Sequence, residues 1–139
     1  MKLISFIIIH LTAIFASASS VVVKYDPVYD DSNTSMTAVA CSDGKNGMIT
    51  KGYPTFGSLP TFPNIGAAYA IAGYNSTSCG SCWKLIYNTT LVYMIAIDHT
   101  DNGFVISEQA LAALGGPQAK SGGQLYASAT LVKGSYCGL

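Results

Sequence analysis

The chain has 139 residues, seven lysines, no arginine, seven acids and a formal net charge of zero. With only 10% of residues charged, it offers no clustered positive surface for nucleic acid, and it lacks the acidic, aromatic-poor composition of a disordered chain. The length suits one domain.

Residues 1–18 read as a secretory signal peptide. Lys2 precedes the apolar run Leu3–Phe15, and Ala16-Ser17-Ala18 is a small-residue cleavage pattern, with Ser20 as an equally readable end. A membrane span needs about 20 apolar residues, and this run is shorter and interrupted by His10 and Thr12. Residues 19–139 then form the mature domain, with six lysines against seven acids.

Within that domain Val21–Tyr25 is β-branched and predicts a first strand. Asp26–Met36 is polar and turn-rich, and Cys41–Gly52 contains the turn signals Asp43-Gly44 and Asn46-Gly47. Tyr53–Ile65 interleaves Pro54, Pro60 and Pro63 with Phe56, Leu59 and Phe62, which predicts an ordered, partly buried loop. Ala67–Ala72, Cys82–Tyr87 and Leu91–Asp98 are strand-like, the last two joined as a hairpin through Asn88-Thr89-Thr90. Ser107–Leu114 predicts a helix, capped by Ser107, favoured by Glu108 at its positive end and stopped by Gly115-Gly116-Pro117. Leu125–Val132 predicts a final strand with Leu125, Ala127, Ala129 and Leu131 on one face. Short strands, many turns and little helix indicate a mainly β fold, a small closed barrel.

Secretion decides how the four cysteines read. Cys41, Cys79, Cys82 and Cys137 all lie in the mature part, and an even number in an oxidising compartment favours two disulfides, with three connectivities open. Cys79-Gly80-Ser81-Cys82-Trp83 matches the local signature of a papain-type nucleophile. That chemistry needs a histidine and an asparagine roughly 130–150 residues downstream, and the chain ends at Leu139 with His99 as its one later histidine. A redox pair or half a zinc site is the other reading, but zinc wants two close ligand pairs, and Cys41 and Cys137 stand alone. No metal or cofactor is expected. The sequons at Asn33, Asn75 and Asn88 become usable in the secretory pathway.

Glycosidase chemistry needs two carboxyls across a sugar bond. Asp98 is the best-placed acid, at the end of an apolar strand and followed by His99 and the Gly103-Phe104 turn, although such an aspartate can simply shape its loop. Asp101 shares that loop, Glu108 is committed to the helix start, and no second acid stands out. Tyrosines offer an apolar face with a polar tip, suited to sugars. Asp98, Tyr25, Tyr53 and Phe104 are the candidate glycan-binding residues.

Several blocks in order resemble the cerato-platanin family of small secreted fungal proteins. They are Val23-Lys24-Tyr25-Asp26-Pro27-Val28-Tyr29-Asp30, Cys41-Ser42-Asp43-Gly44, Gly52-Tyr53-Pro54-Thr55-Phe56-Gly57-Ser58-Leu59-Pro60 and Phe62-Pro63-Asn64-Ile65-Gly66. Cys79-Gly80-Ser81-Cys82-Trp83, Ile97-Asp98-His99-Thr100 and the terminal Cys137-Gly138-Leu139 complete the match, which covers nearly the whole mature chain. The resemblance implies a single-domain double-ψ β-barrel related to expansins, with one or two short helices and disulfides Cys41–Cys79 and Cys82–Cys137. It implies a non-catalytic, extracellular protein whose partners are chitin- or cellulose-type polysaccharide and a possible host receptor, with Asp98 in the groove. Wall loosening and elicitation of plant defence belong to the same expectation. An interfacial self-assembling surface protein is the second reading and a weak glycoside hydrolase the third, and the assembly expected is a monomer or interfacial self-assembly.

Overall fold

The structure is a computed structural model that describes residues 2–5, 7–11 and 20–139. The expected cleavage pattern Ala16-Ser17-Ala18 lies outside the described residues. Among the described residues, no helix is long and apolar enough to cross a membrane.

Six strands close into a barrel. They are β1 (Ser20–Tyr25), β2 (Ile65–Ala68), β3 (Cys82–Tyr87), β4 (Thr90–His99), β5 (Phe104–Ile106) and β6 (Gln124–Val132). The order around the barrel is β1-β5-β2-β4-β3-β6, with β6 returning to β1. Pairs β1–β5 and β2–β4 are parallel and the other four antiparallel, the mixed pattern of the expected double-ψ barrel. Closure removes every free sheet edge from so short a chain. Trp83, Leu85, Val92, Met94, Leu125 and Ala127 are buried on the facing sides of β3, β4 and β6, where β3 pairs Trp83 with Met94 and Leu85 with Val92.

Helix α1 (Glu108–Gly115) buries Ala110, Leu111 and Leu114 against the barrel. Its first amides are satisfied from two directions. The Ser107 hydroxyl accepts from Ala110 N at 3.0 Å, and the Asp30 carboxylate accepts from Glu108 N at 2.8 Å and Gln109 N at 3.0 Å. The anion completing this helix end is therefore Asp30, 78 residues away, while the Glu108 side chain pairs with Lys120.

Several expected boundaries move. The second strand runs over Ile65–Ala68 rather than 67–72, because Tyr69 N donates to Gly103 O and Ile71 N turns back to Ala68 O. Gly66 is required there, since a Cβ would stand 2.1 Å from Val105 O. Pro117 does not only end a helix: it opens α2 (Pro117–Gly122), where its fixed φ suits the first position. Strand β5 has three residues, too few for any periodic signal. Leu131, expected on the inner face of β6, is 60% exposed. The hairpin turns at Asn88-Thr89, with Asn88 at φ 52.

Both expected bridges are present, Cys41–Cys79 and Cys82–Cys137, closing loops of 38 and 55 residues, and no cysteine is free. Constraining the unfolded chain over loops of those lengths contributes about 4 kcal/mol per bridge in the loop-entropy account. Paired Cys82→Ala and Cys137→Ala substitution should lower the unfolding free energy by about 2–5 kcal/mol in denaturant titrations. Non-reducing peptide mapping should recover both bridges and no Cys79–Cys82 peptide.

Candidate functional site

Strand β4 ends in an irregularity that aims Asp98. Along β2 and β4 the pairs run Gly66 with Ala96 and then Ala67 with Asp98, so Ile97 is an extra residue in β4. Regular alternation through Val92, Met94 and Ala96 would carry position 98 onto the core face. The bulge at Ile97 re-aims it, as bulges do at sheet ends. Ile97 O accepts from Cys41 N at 3.0 Å, which draws the Ala40–Cys41 segment alongside.

The half-buried Asp98 carboxylate gathers three donors. The Tyr29 hydroxyl donates to Oδ2 at 3.0 Å, and Ala40 N and His99 N donate to Oδ1 at 3.1 and 2.9 Å. Tyr29 is only 6% exposed and its ring packs on Phe56 with centroids 6.0 Å apart. Burial first, and then the adjacent Asp98 charge, hold the Tyr29 phenol far above its usual range, so it remains a neutral donor. A carboxylate has about four lone-pair sites, so three internal donors leave it room for one more. This arrangement can accept a hydroxyl.

His99, next along, is tied at both ring nitrogens. Nδ1 lies 2.5 Å from Ile71 O, and Nε2 lies 3.1 Å from the Asp101 carboxylate. Neither partner can donate, so both nitrogens carry protons when both contacts are made. The Ile71 carbonyl first, and then Asp101, raise the His99 pKa above its ordinary value, against an opposing effect of burial.

The four candidate glycan-binding residues do not form one exposed surface, since Phe104 is buried. Asp98 lies among Tyr29, Ala40 and His99. Tyr25 is half-buried at the end of β1, and Tyr53 is half-buried after the Met48 turn. Phe104 is fully buried and has no face for a sugar. It acts as backing instead. Tyr69, 48% exposed, rests on Trp83 and Phe104 at centroid distances of 5.8 and 5.9 Å. Sequence reasoning passed over Tyr69, and its one signal was a lone aromatic following the small-residue run Gly66-Ala67-Ala68. All three sequon asparagines are exposed, and Asn75 Oδ1 also accepts from Asn46 N at 2.9 Å.

The family model described as Cerato-platanin matches residues 21–139. A heat-stable 19 kDa antigen of Coccidioides immitis is 38% identical over 133 residues, 96% of this chain and 91% of that protein. The crystal structure of cerato-platanin 1 from M. perniciosa is 43% identical, covers 84% of this chain and 98% of its own, and superposes with a TM-score of 0.81. The solution structure of the fungal elicitor cerato-platanin is 36% identical over 84% of this chain and 95% of its own, with a TM-score of 0.75.

Two predictions come from this geometry. Asp98→Ala strands a buried phenol and the Ala40 amide, so it should cost about 2–4 kcal/mol in chemical denaturation, while Tyr29→Phe should cost about 1 kcal/mol. A loss below about 0.5 kcal/mol for Asp98→Ala would mean the carboxylate ties nothing. For His99 the folded pKa is raised, so its stabilisation is complete below the unfolded value near 6.5 and disappears as pH rises through the folded pKa. The melting temperature should therefore decline across that window in the parent, and His99→Gln should flatten the decline.

Proposed function

The chain belongs to the cerato-platanin family, and from that premise we propose a secreted, non-catalytic protein that binds chitin-type cell-wall polysaccharide around Asp98. Residues 19–139 are the mature domain in this reading, with residues 1–18 removed on export. The disulfides suit an extracellular setting. The observation that carries the reading is the Asp98 carboxylate itself. Three internal donors fix its position, and its remaining acceptor capacity suits a sugar hydroxyl.

The same geometry argues against hydrolysis. Cleavage of a glycosidic bond needs a protonated acid beside the leaving oxygen and a second carboxylate for the nucleophile or water. Asp98 accepts internal hydrogen bonds on both oxygens with no second carboxylate among its bonded neighbours, and Asp101 is engaged by His99. Competition for sugar and polymer hydroxyls would weaken chain-to-chain contacts without breaking a covalent bond, which is the chemistry of wall loosening. Recognition by a plant receptor, as the elicitor name of the related structure suggests, would use the same extracellular surface.

A second reading, self-assembly at an interface, is favoured by one observation. Leu91, Leu131, Tyr136 and Leu139 are all exposed, and Tyr136 stacks on Tyr93 at 5.4 Å.

Chitin oligomers should bind the deglycosylated protein, and Asp98→Asn should weaken that binding about tenfold, one charge-assisted hydrogen bond at the low end of its range. The asparagine keeps an acceptor for Ala40 N and His99 N, so the melting temperature should change little. Incubation with chitin or cellulose should release no reducing ends above a boiled control. Unchanged binding by Asp98→Asn would move the site elsewhere, and release abolished by that substitution would make the protein a hydrolase.

A further inference from the structure

A groove of about 560 Å³ lies on the outer side of β1 and β6, apart from the hydrogen-bonded cluster at Asp98. Its floor is set by cross-strand pairs. Val22 lies opposite Tyr126, and Lys24 opposite Gln124. One wall is the Asn102-Gly103 loop, which approaches β1 closely: a Cβ at Gly103 would stand 2.0 Å from Val22 O, and its φ is 57. Glycine at 103 therefore lets the wall form.

The lining has a consistent chemistry. Tyr126 is 62% exposed and presents a ring with a polar tip. Asn102 and Gln124 supply amides, and Lys24 is the single charged group. Among the described residues, none of these three side chains makes a hydrogen bond or ion pair within the protein. No acid lines the groove, and Asp101, beside Asn102 in sequence, is held by His99 at 3.1 Å. An apolar small molecule would need enclosure that this open surface lacks. A pyranose ring carrying a carboxylate would meet all four side chains: its C–H face against Tyr126, its hydroxyls with the two amides, its charge with Lys24.

We propose that this groove is a second saccharide site, selective for an acidic polysaccharide built of uronic acid units. It does not rest on the Asp98 reading, because it shares no residue with it and asks for a charge that chitin lacks.

Trigalacturonate and chitotriose serve as probes, followed through backbone amide shifts of the purified protein. Trigalacturonate should move the Val22, Gly103 and Gln124 amides, and added salt should weaken it. Lys24→Gln should weaken it about threefold to fivefold, the upper part of the range of an exposed ion pair, and Tyr126→Ala about tenfold. Lys45→Gln, a charge-matched change in another loop, should leave it unaltered. Chitotriose shifts around Asp98 should survive Lys24→Gln, so loss of one site is distinguishable from loss of the other. Absent shifts, shifts confined to residues 97–101, or indifference to Lys24→Gln would overturn the proposal. So would equally tight binding of inorganic phosphate, which would reduce the groove to a bare cation site.

Discussion

The structure turns on one carboxylate at the end of one strand. The connection between β1 and β2, residues 26–64, contains three short 3-10 turns and none of the six strands. Scattered backbone bonds such as Met36 N to Pro54 O and Phe56 N to Thr34 O fold it on itself, and Cys41 N to Ile97 O ties it to β4. Asp98 reaches into that connection at two points 11 residues apart, Tyr29 Oη and Ala40 N. Burying the Tyr29 phenol is favourable only while its hydroxyl has a partner, because an orphaned buried donor costs about 1–3 kcal/mol. The aspartate, its bulge and the tyrosine therefore act as one unit.

Two further ties from the same connection show the same logic. Asp30 supplies the anion for α1, and Cys41 is bridged to Cys79 across the chain. A long irregular segment is fixed by scattered backbone bonds, by charge-assisted hydrogen bonds to backbone amides and by a covalent link, not by a strand ladder. Such a segment keeps polar groups at the surface in defined positions without a deep cavity. That suits recognition of an extended, hydroxylated polymer better than enclosure of a small molecule.

Much of this was legible in the residues, and the exceptions share a cause. Strands β1, β3, β4 and β6 were visible because each carries a β-branched or alternating pattern several residues long, and Ser107 announced α1 through its capping chemistry. The three-residue β5 exists because β1 and β2 pair on either side of it, a long-range fact that local pattern cannot hold. Asp98 could be located from its strand end. Its donors could not, because Tyr29 lies 69 residues away and Ala40 contributes only a backbone amide. Phe104, a candidate sugar-binding residue by sequence, is instead buried, packed against Tyr69, because its place in the three-residue β5 is set by long-range pairing. The Lys24–Tyr126 groove was equally hidden, since its floor forms only through the β1–β6 register and its wall only through the approach of Gly103 to Val22.

The central claim is that one carboxylate both ties the connection to the barrel and receives a sugar hydroxyl. The Ala40 and His99 amides report on it directly, since both donate to Asp98 Oδ1. The most direct measurement is their proton chemical shift during titration with a chitin oligomer, alongside hydrogen-exchange protection of the Ala40 amide. The account predicts that both resonances move in a saturable way while Ala40 stays protected, because the sugar adds a donor without displacing the existing ones. Saturable binding that leaves both resonances unmoved would contradict it, as would rapid exchange at Ala40 in the free protein.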